Sequence, residues 1–169
     1  MASSPEHKRI FNYGCWLLAR RRYSESEFRK KLDKKFPNQP EATTAIVENF
    51  LTKKYLDDTQ YTSLYIREQL NRKPQGLRLI KQKLRQKGIN ETTLSAVFND
   101  QFIDEDELIA TALAKKSARL TSPQKLSNTT TLTPLQHKQK IKQKLFRFLV
   151  SRGFNQSSIL KALGNHSAS

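Results

Sequence analysis

Apolar residues recur along this chain at intervals of three and four, the spacing of helix faces, and alternating runs of strand type are absent. The pattern predicts an all-α protein with helices near residues 8–22, 25–35, 40–54, 58–73, 76–87, 91–101, 105–119, 134–151 and 156–163. Ser24-Glu-Ser-Glu27 reads as a capping box that opens the second of these, and Pro37 closes it.

The pentapeptide IKQKL occurs twice, at Ile80–Leu84 and at Ile141–Leu145. The flanks show that the two copies are not equivalent. Leu84-Arg-Gln-Lys-Gly-Ile-Asn90 matches Leu149-Val-Ser-Arg-Gly-Phe-Asn155, so Leu84 pairs with Leu149 and Ile80 with Leu145, about one helical turn away from the literal match. The repeat is anchored at the helix end: Gly suits a left-handed stop, and the Asn two residues on suits the next N-cap. An earlier copy has Phe28 and Leu32 in the same two places. A second signature, aromatic-aliphatic-acid-acid, occurs as Tyr55-Leu-Asp-Asp58 and Phe102-Ile-Asp-Glu105, with the acids expected at the N-cap and first turn of the following helix.

These repeats predict three tandem three-helix modules, at 8–56, 57–102 and 103–164, stacked into an elongated, curved solenoid-like array. Extra length in the third module falls in a Ser/Thr-rich tract at about 120–134, expected as a mobile loop.

Charge changes the picture most. Lys and Arg number 31 against 15 Asp and Glu, a formal net charge of +16. Such self-repulsion points to an anionic partner, nucleic acid or a protein assembly around it, and away from a membrane surface. No apolar run is long enough to span a bilayer and the N-terminus has no apolar signal region, so a soluble, cytoplasmic protein is expected. The cations fall in three runs on matching helices. Arg20, Arg21, Arg22, Arg29 and Lys30 form the first; Arg72, Lys73, Arg78, Lys81, Arg85 and Lys87 the second; Lys142, Lys144 and Arg152 the third. A solvated helix face would account for any one of these runs, whereas three of one sign predict a binding strip with steeply salt-dependent affinity.

Other chemistry has few candidates. The five glycines form neither a Walker A nor a GxGxxG arrangement, the three histidines are scattered, and neither metal nor cofactor is expected. Asp57-Asp58 and Asp104–Glu107 could hold Mg²⁺ in a nuclease-like site, but helix N-termini recruit acids for structural reasons. Cys15, the sole cysteine, is expected buried as a small hydrophobe. Tyr13, Trp16, Tyr55, Tyr61, Tyr65, Phe102 and Phe148 are expected in the core before serving as base-stacking platforms.

Four segments in order resemble the RecX family of bacterial RecA regulators: Leu18-Ala-Arg-Arg-Arg-Tyr-Ser24-Glu-Ser-Glu27-Phe-Arg-Lys-Lys-Leu32, Lys54-Tyr-Leu-Asp-Asp58, Arg72-Lys-Pro-Gln-Gly76 through Gly88-Ile89, and Lys144-Leu-Phe-Arg-Phe-Leu-Val-Ser-Arg152-Gly153-Phe154. The resemblance covers residues 8 to 163. It implies three tandem three-helix repeats, no catalytic activity, and a monomer acting in DNA repair and recombination and the SOS response. That monomer would bind the RecA filament on single-stranded DNA, with double-stranded DNA as a further candidate. The expected effect is inhibition of ATP hydrolysis, strand exchange and coprotease activity. The alternative is a general helical DNA-binding protein with no dedicated recombinase. The chain departs from the family pattern at Phe36, where Gly is common, and in its Ser/Thr-rich tract.

Overall fold

Nine helices and no strand form among the residues that the computed structural model describes, 5–72, 74–101, 103–120 and 133–165. The chain is all-α. In order the helices are α1 (Pro5–Arg20), α2 (Glu25–Lys35), α3 (Pro40–Thr52), α4 (Asp58–Arg72), α5 (Leu77–Gln86), α6 (Glu91–Asp100), α7 (Glu105–Leu120), α8 (Pro134–Ser151) and α9 (Gln156–Asn165). The Ser/Thr-rich tract from 121 to 132, with Lys73 and Phe102, lies outside the described residues.

Local signals set these bounds. Asn90 caps α6 by accepting from the Thr93 N–H at 2.7 Å, and Thr133 with Gln136 closes a full capping box on α8. At Ser24 only half of the expected box forms. Its hydroxyl accepts from the Glu27 N–H, but the Glu27 carboxylate turns to Lys87, Arg21 and Tyr61, whose charge and hydroxyl outbid a neutral backbone donor.

Helices α5 and α8 end alike. Gly88 and Gly153 take φ of +82° and +79°. The Gly88 N–H donates to the Arg85 carbonyl and the Ile89 N–H to that of Leu84; the Gly153 and Phe154 N–H groups donate to Val150 and Leu149. This Schellman closure needs the left-handed conformation that only glycine adopts without a steric cost. It also fixes the register expected from the flanks. Phe28 and Leu32, Ile80 and Leu84, and Leu145 and Leu149 are all buried, whereas Ile141 of the literal match is only partly so.

The described residues fall into two compact units, one of 5–65 and 83–101, the other of 66–82 and 103–165, so α4 and α5 contribute to both. In the first, α1, α2 and α3 pack on one another around Ile10, Leu17, Phe28, Leu32, Val47 and Phe50. Gly14 lets α1 approach closely, since a Cβ there would meet the rings of Phe28 and Phe50 at 3.1 Å each. In the second, α7, α8 and α9 pack around Ile109, Leu113, Leu145, Leu149 and Ile159.

Each unit contains one copy of the same joint. In the first, the Lys87 carbonyl at the end of α5 accepts from Ser24 Oγ at 2.6 Å, and Gly88 lies against Ser26. In the second, the Arg152 carbonyl at the end of α8 accepts from the Gly76 N–H at 2.9 Å, and Gly153 lies against Leu79. Ser24 and Gly76 are equivalent positions, each eight residues before the buried leucine of its helix. The acid pairs complete the joint. Asp57 accepts from the Thr59 and Gln60 N–H groups, and Asp104 from those of Asp106 and Glu107, so each first acid caps its own helix. The second acid reaches outward: Asp58 accepts from the Glu25 N–H at 2.8 Å, and Glu105 from the Leu77 N–H at 3.3 Å. It therefore satisfies an orphan donor in the first turn of another helix.

Candidate polyanion-binding surface

Five of the expected strip cations sit on α1, α2 or the connection between them, since α1 stops at Arg20 and leaves Arg21 and Arg22 beyond it. Arg20 is exposed, with its guanidinium over the Trp16 ring at 4.5 Å. Arg21 lies over Tyr23 at 3.7 Å and reaches Glu27 at 3.4 Å. Arg29 pairs with Glu25 at 3.3 Å. Arg85 grips Glu91 through two bonds of 2.9 Å, and Lys87 holds Glu27 at 2.9 Å. Four of the strip cations are thus committed to carboxylates of this chain, and only Arg22 and Lys30 of the first run make neither an ion pair nor a ring contact among the described residues.

The Glu27–Lys87 pair is half-buried. Burial alone would push the Glu27 carboxyl up, but the hydrogen bond and charge of Lys87, with help from Arg21, outweigh it and hold Glu27 below the usual carboxylate range. Asp58 goes the other way: burial pushes it up, its Glu25 N–H bond only partly opposes this, and neighbouring carboxylates add to the rise.

In the second unit Arg78 is exposed on α5, and Lys142 and Lys144 are exposed on α8. Lys81 is half-buried, and the side chain of Arg72 is not among those described. Arg152 lines a cleft of about 560 Å³ with Pro74, Ala112, Lys115, Lys116, Ala118, Arg119 and Phe148. Lys116 Nζ and the Arg152 guanidinium sit over the Phe148 ring at 5.1 and 5.2 Å from its centroid. Four cations, Lys115, Lys116, Arg119 and Arg152, and no carboxylate line this cleft, a concentrated positive concavity. Lys115, Lys116 and Arg119 were not singled out by sequence; the signal, three cations within five residues of α7, was overshadowed by the longer runs. In the common register two positions are cationic in all three copies: Lys35, Lys87 and Arg152, three residues after the buried leucine, and Arg21, Lys73 and Lys138, eleven residues before it.

Three sequence expectations need correction. Cys15 is exposed. So are Trp16, at 50%, and Tyr55, at 57%. The buried stripe of α1 runs through Ile10, Gly14 and Leu17, and it turns Cys15 and Trp16 out to solvent. Tyr61 is buried as expected. Each acid of the two pairs gives one carboxylate oxygen to backbone N–H groups, and among the described residues no cluster of His, Cys, Asp and Glu is placed to hold a metal. No helix among them is long and apolar enough to cross a membrane.

Residues 57–97 match the family model described as RecX, second three-helix domain. The chain is 31% identical over 156 residues to a regulatory protein RecX of Mannheimia succiniciproducens, covering 92% of each chain. It is 34% identical over 145 residues to that of Haemophilus ducreyi, covering 85% of this chain and 83% of the relative. The crystal structure of RecX from Lactobacillus salivarius superposes with a TM-score of 0.72 at 21% identity, over 96% of this chain and 97% of that one, and so shares its fold. With identity of this order sustained over nearly the full length of both chains, this protein belongs to the RecX family of regulatory proteins.

Proposed function

We propose that this protein is a monomeric cytoplasmic regulator that binds the RecA filament on single-stranded DNA and inhibits its ATPase, strand exchange and coprotease activities, without catalytic chemistry of its own. Three three-helix modules, at 8–56, 57–102 and 103–164, present cations to the polyanion, with double-stranded DNA as a further candidate ligand. Family membership supports the recombinase as partner. The observation that carries the electrostatic part is the Phe148 cleft, where four cations meet without a carboxylate in a chain of net charge +16.

The test is a titration of single-stranded-DNA-dependent RecA ATPase with the protein and with the variant Arg78→Glu/Lys115→Glu/Lys116→Glu. The wild type should inhibit at less than one protein per recombinase monomer. The variant, with unchanged helicity, should need roughly tenfold more protein and show a shallower salt dependence, because fewer phosphate-bound counterions are released. Inhibition only at strand-coating amounts would instead support a general DNA-binding protein. Equal inhibition by the variant would remove the cleft and Arg78 from the mechanism.

A further inference from the structure

One face of α1 is built unlike the rest of the first unit. Trp16 lies half-exposed in its C-terminal third, about 130° round from the buried Ile10–Gly14–Leu17 stripe. The Tyr13 ring stacks against the indole, with centroids 5.6 Å apart and planes 20° from parallel. Tyr13 is itself held edge-on by Phe36 at 5.7 Å, so the stack has a rigid footing in the core. The Arg20 guanidinium extends it at 4.5 Å. At 100° per residue, Arg9 and Asn12 fall within about 40° of Trp16 on the same face. Both are exposed. Arg9 and Arg20 thus bracket the indole along about 16 Å of helix, while Glu6, the only acid on α1, lies in the first turn, about 80° round from Trp16.

A solvent-facing indole costs free energy in a protein that could bury it, and the flanking cations say what would cover it. Flat π surfaces between positive charges match a ligand with flat π surfaces between negative ones. Bases splayed from a single strand have that form, whereas a duplex hides its base faces inside the stack. Arg20 suits either end of such a contact: its guanidinium can remain between indole and base, or swing to a phosphate.

We infer that the Tyr13–Trp16–Arg20 face of α1 is a base-stacking site for single-stranded DNA. The inference rests on the single-stranded DNA part of the proposed function and adds a second, non-electrostatic mode of contact. It concerns residues that lie within one unit and depends on no other part of the molecule.

Trp16 is the chain's only tryptophan, so intrinsic emission reports on this site alone. The experiment titrates full-length protein with an oligothymidine and, separately, with an abasic oligonucleotide of the same length and charge, following both binding by anisotropy and emission of Trp16. Oligothymidine should quench the emission in step with binding, whereas the abasic strand should bind more weakly and leave it unchanged. Trp16→Ala, with unaltered helicity, should weaken oligothymidine binding about fivefold or more and abasic binding little, and Trp16→Phe should restore most of the difference. Binding without quenching, or equal loss on both strands, would overturn the stacking site while leaving the filament reading intact. Absence of any binding would overturn both. Quenching by RecA alone, with none by oligothymidine, would make this face a protein contact and overturn the inference.

Discussion

The end of α5 offers a sharp test of why glycine stands at position 88. Replacing Gly88 by Ala imposes two separable costs. The first is conformational: φ is +82°, where an L side chain costs about 1–2 kcal/mol. The second is steric: the new Cβ would overlap the Ser26 Cβ and Oγ, an overpacking cost of about 1–3 kcal/mol. Together Gly88→Ala should destabilise the first unit by about 2–5 kcal/mol. The next Ser26 atom, its Cα, lies at 3.7 Å, ordinary contact distance. Ser26→Gly therefore removes the whole obstruction, at a helix-propensity cost of its own of up to about 1 kcal/mol. A double-mutant cycle subtracts that cost. Urea unfolding of the four proteins, with hydrogen exchange of the α2 and α5 amides to localise the loss, should give a favourable coupling of about 1–3 kcal/mol between the two substitutions, with the conformational remainder uncorrected. Zero coupling would show that Gly88 and Ser26 do not meet, and full rescue would show that the left-handed conformation is not needed. Either result refutes the joint as described. At Gly153 the obstruction includes the Leu79 backbone nitrogen at 3.0 Å, so Leu79→Gly should rescue Gly153→Ala only in part.

Glu27→Gln should cost about 1 kcal/mol at neutral pH by breaking a half-buried ion pair. Because the folded Glu27 pKa is depressed, its contribution is present above the unfolded carboxylate value of about 4.3 and is lost as pH falls through the lower folded value. Urea midpoints between about pH 5 and 2 should therefore fall less steeply in the variant than in the wild type; parallel acid limbs would contradict the assignment. Asp58, with its raised pKa, acts oppositely, so Asp58→Asn should steepen that limb. Leu149→Ala should cost about 2–5 kcal/mol by emptying a fully buried site. Ile141→Ala, in the literal pentapeptide match but only partly buried, should cost about half as much or less; equal costs in urea unfolding would reject the four-residue offset.

Helix bounds were legible where an end carries a local chemical mark. Asn90, Thr133, Gly88, Gly153, Pro37 and Pro40 act within one turn, and all lie where the pattern placed a start or a stop. The buried pairs were legible from the flanks of the repeat for the same reason. What escaped was non-local. Glu27 looks like the reciprocal half of a capping box until Lys87, sixty residues away, competes for it. Asp58 and Glu105 look like first-turn acids, yet each serves a helix far back in the chain. Charge counting could not show that Arg85, although exposed, is already gripped by Glu91. Cys15 and Trp16 were read as core because Cys15-Trp-Leu-Leu18 is an apolar run. The true stripe passes through Gly14, whose lack of a side chain is what lets α1 lie against Phe28 and Phe50.

Helix α5 begins at a backbone N–H that donates to one neighbour's terminal carbonyl and finishes with a carbonyl that accepts from another neighbour's hydroxyl. Plug and socket on a single element make the length of such a chain an open variable. A gene duplication that copied one such helix with its flanking pair would arrive with matching ends on both sides, and a protein of this construction could grow or shrink by whole increments without inventing a new lock.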